Sequence, residues 1–74
     1  MEWSEPLKKT YEVKQIDGEG AVLQSIPVDA RSGEAAAQQL EKIADGAEII
    51  TVFLDGEPIN EMGVDYWQKR VRRR

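Results

Sequence analysis

The sequence contains no cysteine and no histidine. Those two absences remove Cys/His zinc sites, thiol nucleophiles, imidazole general bases and iron–sulfur ligation. They also leave the chain without the disulfides that small secreted domains more often carry, so the expected compartment is the cytoplasm. The opening residues, Met1-Glu2-Trp3-Ser4-Glu5-Pro6, are acidic and interrupted by proline, the reverse of a secretory leader. No apolar run approaches the roughly 20 residues of a membrane span, and no membrane contact is expected. A phosphate-binding loop is missing as well. Gly18 and Gly20 stand in an acidic hairpin rather than at the start of a helix, and the adjacent Asp17 and Glu19 repel phosphate. No cofactor is expected.

What is present is one short chain with a sharply divided charge. At 74 residues a domain buries roughly 60% of the surface its unfolded form exposes, so a single core must carry the stability. Small domains without covalent or metal staples often gain stability by oligomerising or by docking on a partner. Of the net charge of −4, residues 1–68 hold all fourteen acids against five cations, a body of −9. The run Lys69-Arg70-Val71-Arg72-Arg73-Arg74 returns five positive charges. The body repels nucleic acid and anionic surfaces while this tail attracts them.

Along the chain, residues 1–9 read as a loosely ordered lead-in broken by Pro6. Thr10 to Ile16 alternates, with Tyr11 and Val13 on one face and Glu12 and Lys14 on the other, the pattern of a half-exposed strand. Asp17-Gly18-Glu19-Gly20 supplies a tight loop. Ala21 to Val28 is the return strand, and Pro27 places its end or an edge there because proline donates no ladder hydrogen bond. Ser32 or Asp29 is the candidate N-cap of a helix over Gly33 to Ala44. Its apolar face is Ala36, Leu40, Ile43, Ala44 and Ala47, and its closing residue is Gly46. The alanines let this helix sit close to a sheet. Glu48 to Leu54 is apolar on both faces and reads as a central strand. Asp55-Gly56 is the strongest hairpin dipeptide. Glu57 to Asn60 follows as a short piece that Pro58 confines to an edge. From Met62 to Arg74 a helix face (Val64, Trp67, Val71) and a strand (Tyr66 to Val71) fit equally well.

These elements predict a small single α+β domain of ββαβ order, with one helix on one face of a mostly antiparallel sheet and a further short strand or helix at the C-terminus. The element order is similar to that of β-grasp (ubiquitin-like) domains, with Leu54-Asp55-Gly56-Glu57 where such folds also turn. The chain ends in Arg72-Arg73-Arg74 and lacks the di-glycine that conjugated or sulfur-carrying members need, so the resemblance does not imply that chemistry.

Three Asp-Gly pairs, Asp17-Gly18, Asp45-Gly46 and Asp55-Gly56, each with a nearby Glu, can be read as oxygen-ligand loops for a cation or as turns. Calcium asks for six to eight oxygens in one constellation, and no EF-hand spacing is present, so the turn reading is preferred and no metal site is expected. Paired carboxylates for sugar chemistry need a cleft that one sheet and one helix have little room to form. No catalytic residue is assigned. What remains is a surface. Sheet and helix leave the second sheet face uncovered, and Trp3, Phe53, Tyr66 and Trp67 are the candidate contact residues. The expected role is a non-catalytic interaction module or accessory subunit, with a protein partner or a second copy of itself. The alternative is a small nucleic-acid-associated protein. In that reading Lys69, Arg70, Arg72, Arg73 and Arg74 take phosphates and Tyr66 and Trp67 stack on bases.

Overall fold

The structure is a computed structural model that describes residues 8–72. Four strands alternate with short helical segments: β1 (Lys9–Asp17), β2 (Val22–Ala30), α1 (Gly33–Gln38), β3 (Ala47–Leu54), β4 (Glu57–Gly63) and α2 (Val64–Tyr66). α2 runs on into a π-helical turn, Trp67–Val71. The strands form one antiparallel sheet in the order β2-β1-β3-β4, which makes the molecule a small mixed α+β domain. Both neighbours of β1 are antiparallel to it, so β2 and β3 run the same way and α1 carries the chain from one to the other past β1.

Strand alternation decides which residues meet. Tyr11, Val13 and Gln15 of β1 share a side with their partners Val28 and Ile26 on β2, Ile50 and Val52 on β3, and through these with Met62 on β4. The helical segments cover this side. Ala36 and Ala37 are fully buried against it, and Leu40, Trp67 and Val71 complete the core. The alanines matter because only a small side chain lets a helix backbone approach a sheet so closely. β3, with Ile50 and Val52 inaccessible, is an interior strand between β1 and β4. Both strand prolines, Pro27 and Pro58, fall on the two edge strands, where a missing donor costs no interior ladder bond.

Several boundaries differ from the sequence expectation. β2 continues through Pro27 to Ala30, so Asp29 is a strand residue whose carboxylate accepts from the Thr10 hydroxyl at 2.6 Å. Ser32 alone caps α1, its Oγ accepting from the Ala35 amide at 3.1 Å. α1 stops at Gln38 instead of reaching Ala44, and Gly46 (φ 90°) turns the chain into β3 instead of closing the helix. The cause is Gln15. Its amide oxygen accepts from the Ala44 N–H at 2.6 Å and its amide nitrogen donates to the Lys42 carbonyl at 3.2 Å. The Ala44 N–H, which a longer helix would pair with the Leu40 carbonyl, is paired by a strand side chain instead, and the same side chain holds the Lys42 carbonyl. β4 is a full seven-residue strand, longer than the expected Glu57–Asn60. Of the two readings of the C-terminal segment, the helical one describes residues 64–71. At the β3–β4 turn Asp55 (φ 54°) and Gly56 (φ 83°) both take left-handed backbone, the requirement of the tight hairpin that Asp-Gly satisfies.

Candidate interaction surface

Among the described residues the other side of the sheet carries no helix. Its cross-strand rows run Ser25–Lys14–Thr51–Glu61 and Pro27–Glu12–Phe53–Pro58 from β2 to β4. The β2–β1 half is tied together by its own polar groups, Thr10 to Asp29 and the Ser25 hydroxyl donating to the Glu12 carboxylate at 2.8 Å. The β3–β4 half is different. Ile16, Thr51, Phe53, Pro58 and Glu61 line a groove of about 550 Å³. The Lys14 ammonium stands 4.7 Å from the centre of the Phe53 ring, which is half-buried. Thr51 in the groove wall is only 5% exposed, and its hydroxyl has no hydrogen-bond partner among the described residues. A buried hydroxyl without a partner costs about 1–3 kcal/mol.

A second groove of about 470 Å³ lies on the opposite, helical side of the same strand. Glu34 of α1, Met62 and Gly63 of β4, Tyr66 of α2 and Val71 of the π turn line it. α1 reaches β4 because Gly33 begins it. A Cβ there would stand 3.2 Å from Ile59 Cδ1, tighter than side chains ordinarily pack, so glycine allows the contact. The π turn is fastened from the other direction by the Trp67 indole N–H, which donates to the Ala37 carbonyl at 2.7 Å. That carbonyl, at the helix end, also accepts from the Leu40 N–H at 3.2 Å and takes the indole on its second lone pair. Asn60 and Glu61 border both grooves, so β4 is an edge strand with a groove on each side.

The proposed contact residues separate accordingly. Trp3, Arg73 and Arg74 lie outside the described residues. Phe53 lines the open-face groove and Tyr66, 55% exposed, lines the other. Trp67 is 1% exposed and is a core residue, which corrects its placement on the contact surface. The indole is large enough to span the gap between α1 and the sheet, and Ala37 supplies its only polar need. Lys69 and Arg70 are exposed but belong to the π turn instead of a trailing tail. The Arg72 guanidinium lies 5.6 Å from the Trp67 ring centre. The stacking pair expected for nucleic acid is therefore reduced to Tyr66 alone.

The remaining polar clusters do structural work. The Asp17 carboxylate accepts from the Ala21 N–H at 2.9 Å and the Glu19 N–H at 2.8 Å, and these donors hold it below the usual aspartate range. It organises the β1–β2 turn, the role the Asp-Gly pattern predicts. Among the described residues no three acids converge as a cation site would require, and no helix is long and apolar enough to cross a membrane. Gln15, Thr51, Asn60 and Glu61 were not singled out by sequence reasoning. The available signal for the first two was polarity at a position whose strand neighbours are apolar. The chain matches no family model, no curated protein and no solved structure, so the β-grasp similarity of element order extends no further.

Proposed function

We propose that this chain is a non-catalytic protein-interaction module, an accessory subunit that works through the β3–β4 side of its sheet. The observation that carries the reading is the Thr51 hydroxyl, buried without a partner in a groove otherwise formed by Ile16, Phe53 and Pro58. A docked chain that covers the apolar walls gains their burial, and any shift of the wall that bared the hydroxyl to it would add a hydrogen bond. Among the described residues the groove holds one carboxylate, Glu61, and one hydroxyl, that of Thr51, which is buried from any substrate, and this favours binding over catalysis. Phe53 and Tyr66 are the aromatic anchors of this surface, one in each groove.

The test is site-specific photo-crosslinking in the cells that make the protein. The photoreactive p-benzoylphenylalanine in place of Phe53 should give a discrete adduct on irradiation, and the same group in place of the exposed Gln38 should not. An adduct of twice the chain's mass identifies a second copy as the partner. Equal yields at both positions, or none at Phe53, would remove this surface from consideration.

A further inference from the structure

Resting on that reading, we infer that β4 is a strand-addition site for a short extended peptide in which lysine or arginine alternates with apolar residues. β4 ends the sheet, and among the described residues no strand pairs with its outer edge. Its usable length is set by its own irregularities. Asn60, Glu61, Met62 and Gly63 pair in regular register with Val52, Thr51, Ile50 and Ile49. Before them the register shifts between Val52 and Phe53, leaving Ile59 extra, and Pro58 follows. After them the chain turns helical at Val64. The free edge is thus four residues, about 13 Å at strand rise.

An added strand continues the pleat, so its successive side chains point alternately to the two faces of the sheet. Here each face offers a groove beside β4. One is walled by Phe53 and Pro58 and contains the unpartnered Thr51 hydroxyl; the other is walled by Met62, Tyr66 and Val71. The other sheet edge lacks this arrangement. β2 carries Pro27 in its run, and the groove beside it, lined by Ile26 and Leu40 with Gln24, Gln39, Glu41 and Lys42, has charges of both signs and no aromatic wall.

Charge selects the occupant. The charged residues lining the β4 grooves are Glu34 and Glu61, and Glu57 and Asp65 bracket the strand. Among the described residues no lysine or arginine lines either groove, and the Lys14 ammonium stands over the Phe53 ring at the margin of the open-face one. A second copy pairing through β4 would bring a further Glu57 and Glu61 against these, and like charges on paired strands repel. Lysine and arginine suit the site in a second way: their apolar stems can lie on Phe53 or Tyr66 while the charged ends reach Glu61 or Glu34.

The experiment titrates the full chain with acetyl-Lys-Val-Arg-Val-Lys-Val-amide and follows backbone amides by NMR and hydrogen exchange. Three comparisons are made: the peptide with Glu at each basic position, the peptide N-methylated at alternate residues, and the unaltered peptide against the E61K chain. The basic peptide is expected to bind and to slow exchange within Asn60–Gly63. N-methylation on the pairing edge and E61K should each weaken binding by about tenfold or more, and the acidic peptide should not bind. Glu61 is exposed, so E61K is expected to fold. No binding at millimolar peptide overturns the inference, as does equal binding of the N-methylated or acidic peptide. So does a concentration-dependent dimer in sedimentation that is lost in E61K. An adduct at position 53 together with no peptide binding would leave the interaction module standing and remove only strand addition.

Discussion

Two buried polar side chains, on neighbouring strands but opposite faces of the sheet, have opposite fates. Gln15 on the covered face is inaccessible and uses both ends of its amide, reaching Gln24, Lys42 and Ala44. Thr51 on the open face is nearly as buried and reaches nothing. On the covered face a loop and a helix supply backbone groups from above, so a polar residue there becomes a fastening. On the open face the neighbours come only from the sheet itself, and side chains broad enough to hide Thr51 bring no partner to its hydroxyl. A covered face is complete in the monomer, and the open one has a capacity left over.

The largest effect that sharpens this contrast is expected from Trp67→Ala. Truncating a fully buried aromatic costs about 3–5 kcal/mol, and here the Ala37 carbonyl also loses one of its donors. For so small a domain that removes most of the stability, and the urea midpoint by far-ultraviolet circular dichroism should fall sharply. A small shift would mean that the helical segment does not close the covered face. Next comes Gln15→Leu, which strands the Ala44 N–H and Lys42 carbonyl inside. A loss of about 1–3 kcal/mol is expected in the same measurement. Thr51→Val is the counterpart on the open face and should be neutral or stabilising by up to about 1 kcal/mol, since it deletes a group that bonds to nothing. A loss comparable to that at Gln15 would break the contrast between the faces.

The smallest effect lies at the hairpin tip, outside both faces. Asp17 titrates below the usual aspartate range because the Ala21 and Glu19 amides favour its charged form. Its contribution is therefore fully present above the ordinary aspartate range. It is lost as pH falls below that range through the depressed value. Asp17→Asn keeps an acceptor oxygen for the turn but cannot titrate. Unfolding curves of the two proteins should differ in their acid dependence only below the ordinary aspartate range, and parallel curves there would deny the turn this role.

Much of the frame was legible because its causes are local. Tyr11 and Val13 alternate with Glu12 and Lys14; Ser32 precedes the amide it caps; Asp55-Gly56 takes the backbone that such a turn demands; Pro27 and Pro58 mark edges. The candidate site was less legible. Phe53 and Tyr66 were within reach as exposed aromatics, but Trp67 carries the same chemical label and lies in the core. Nothing near it in the chain announces Ala37, thirty residues away, as its partner. The overlong helix has the same origin. The periodicity of residues 36–44 is real, but Gln15 competes for their backbone from a distant strand.

By itself, then, the sequence determined where strands begin, turn and meet an edge, the absence of cysteine and histidine chemistry, and an acidic body with basic residues gathered at its end. Those properties depend on backbone preference and residue type, which act over a few positions. Only the tertiary structure decided which aromatic is buried, where α1 stops, and that β4 ends the sheet with a groove on each side. Those are outcomes of competition between groups remote in the chain, settled by which of them the folded sheet brings within hydrogen-bonding and packing distance.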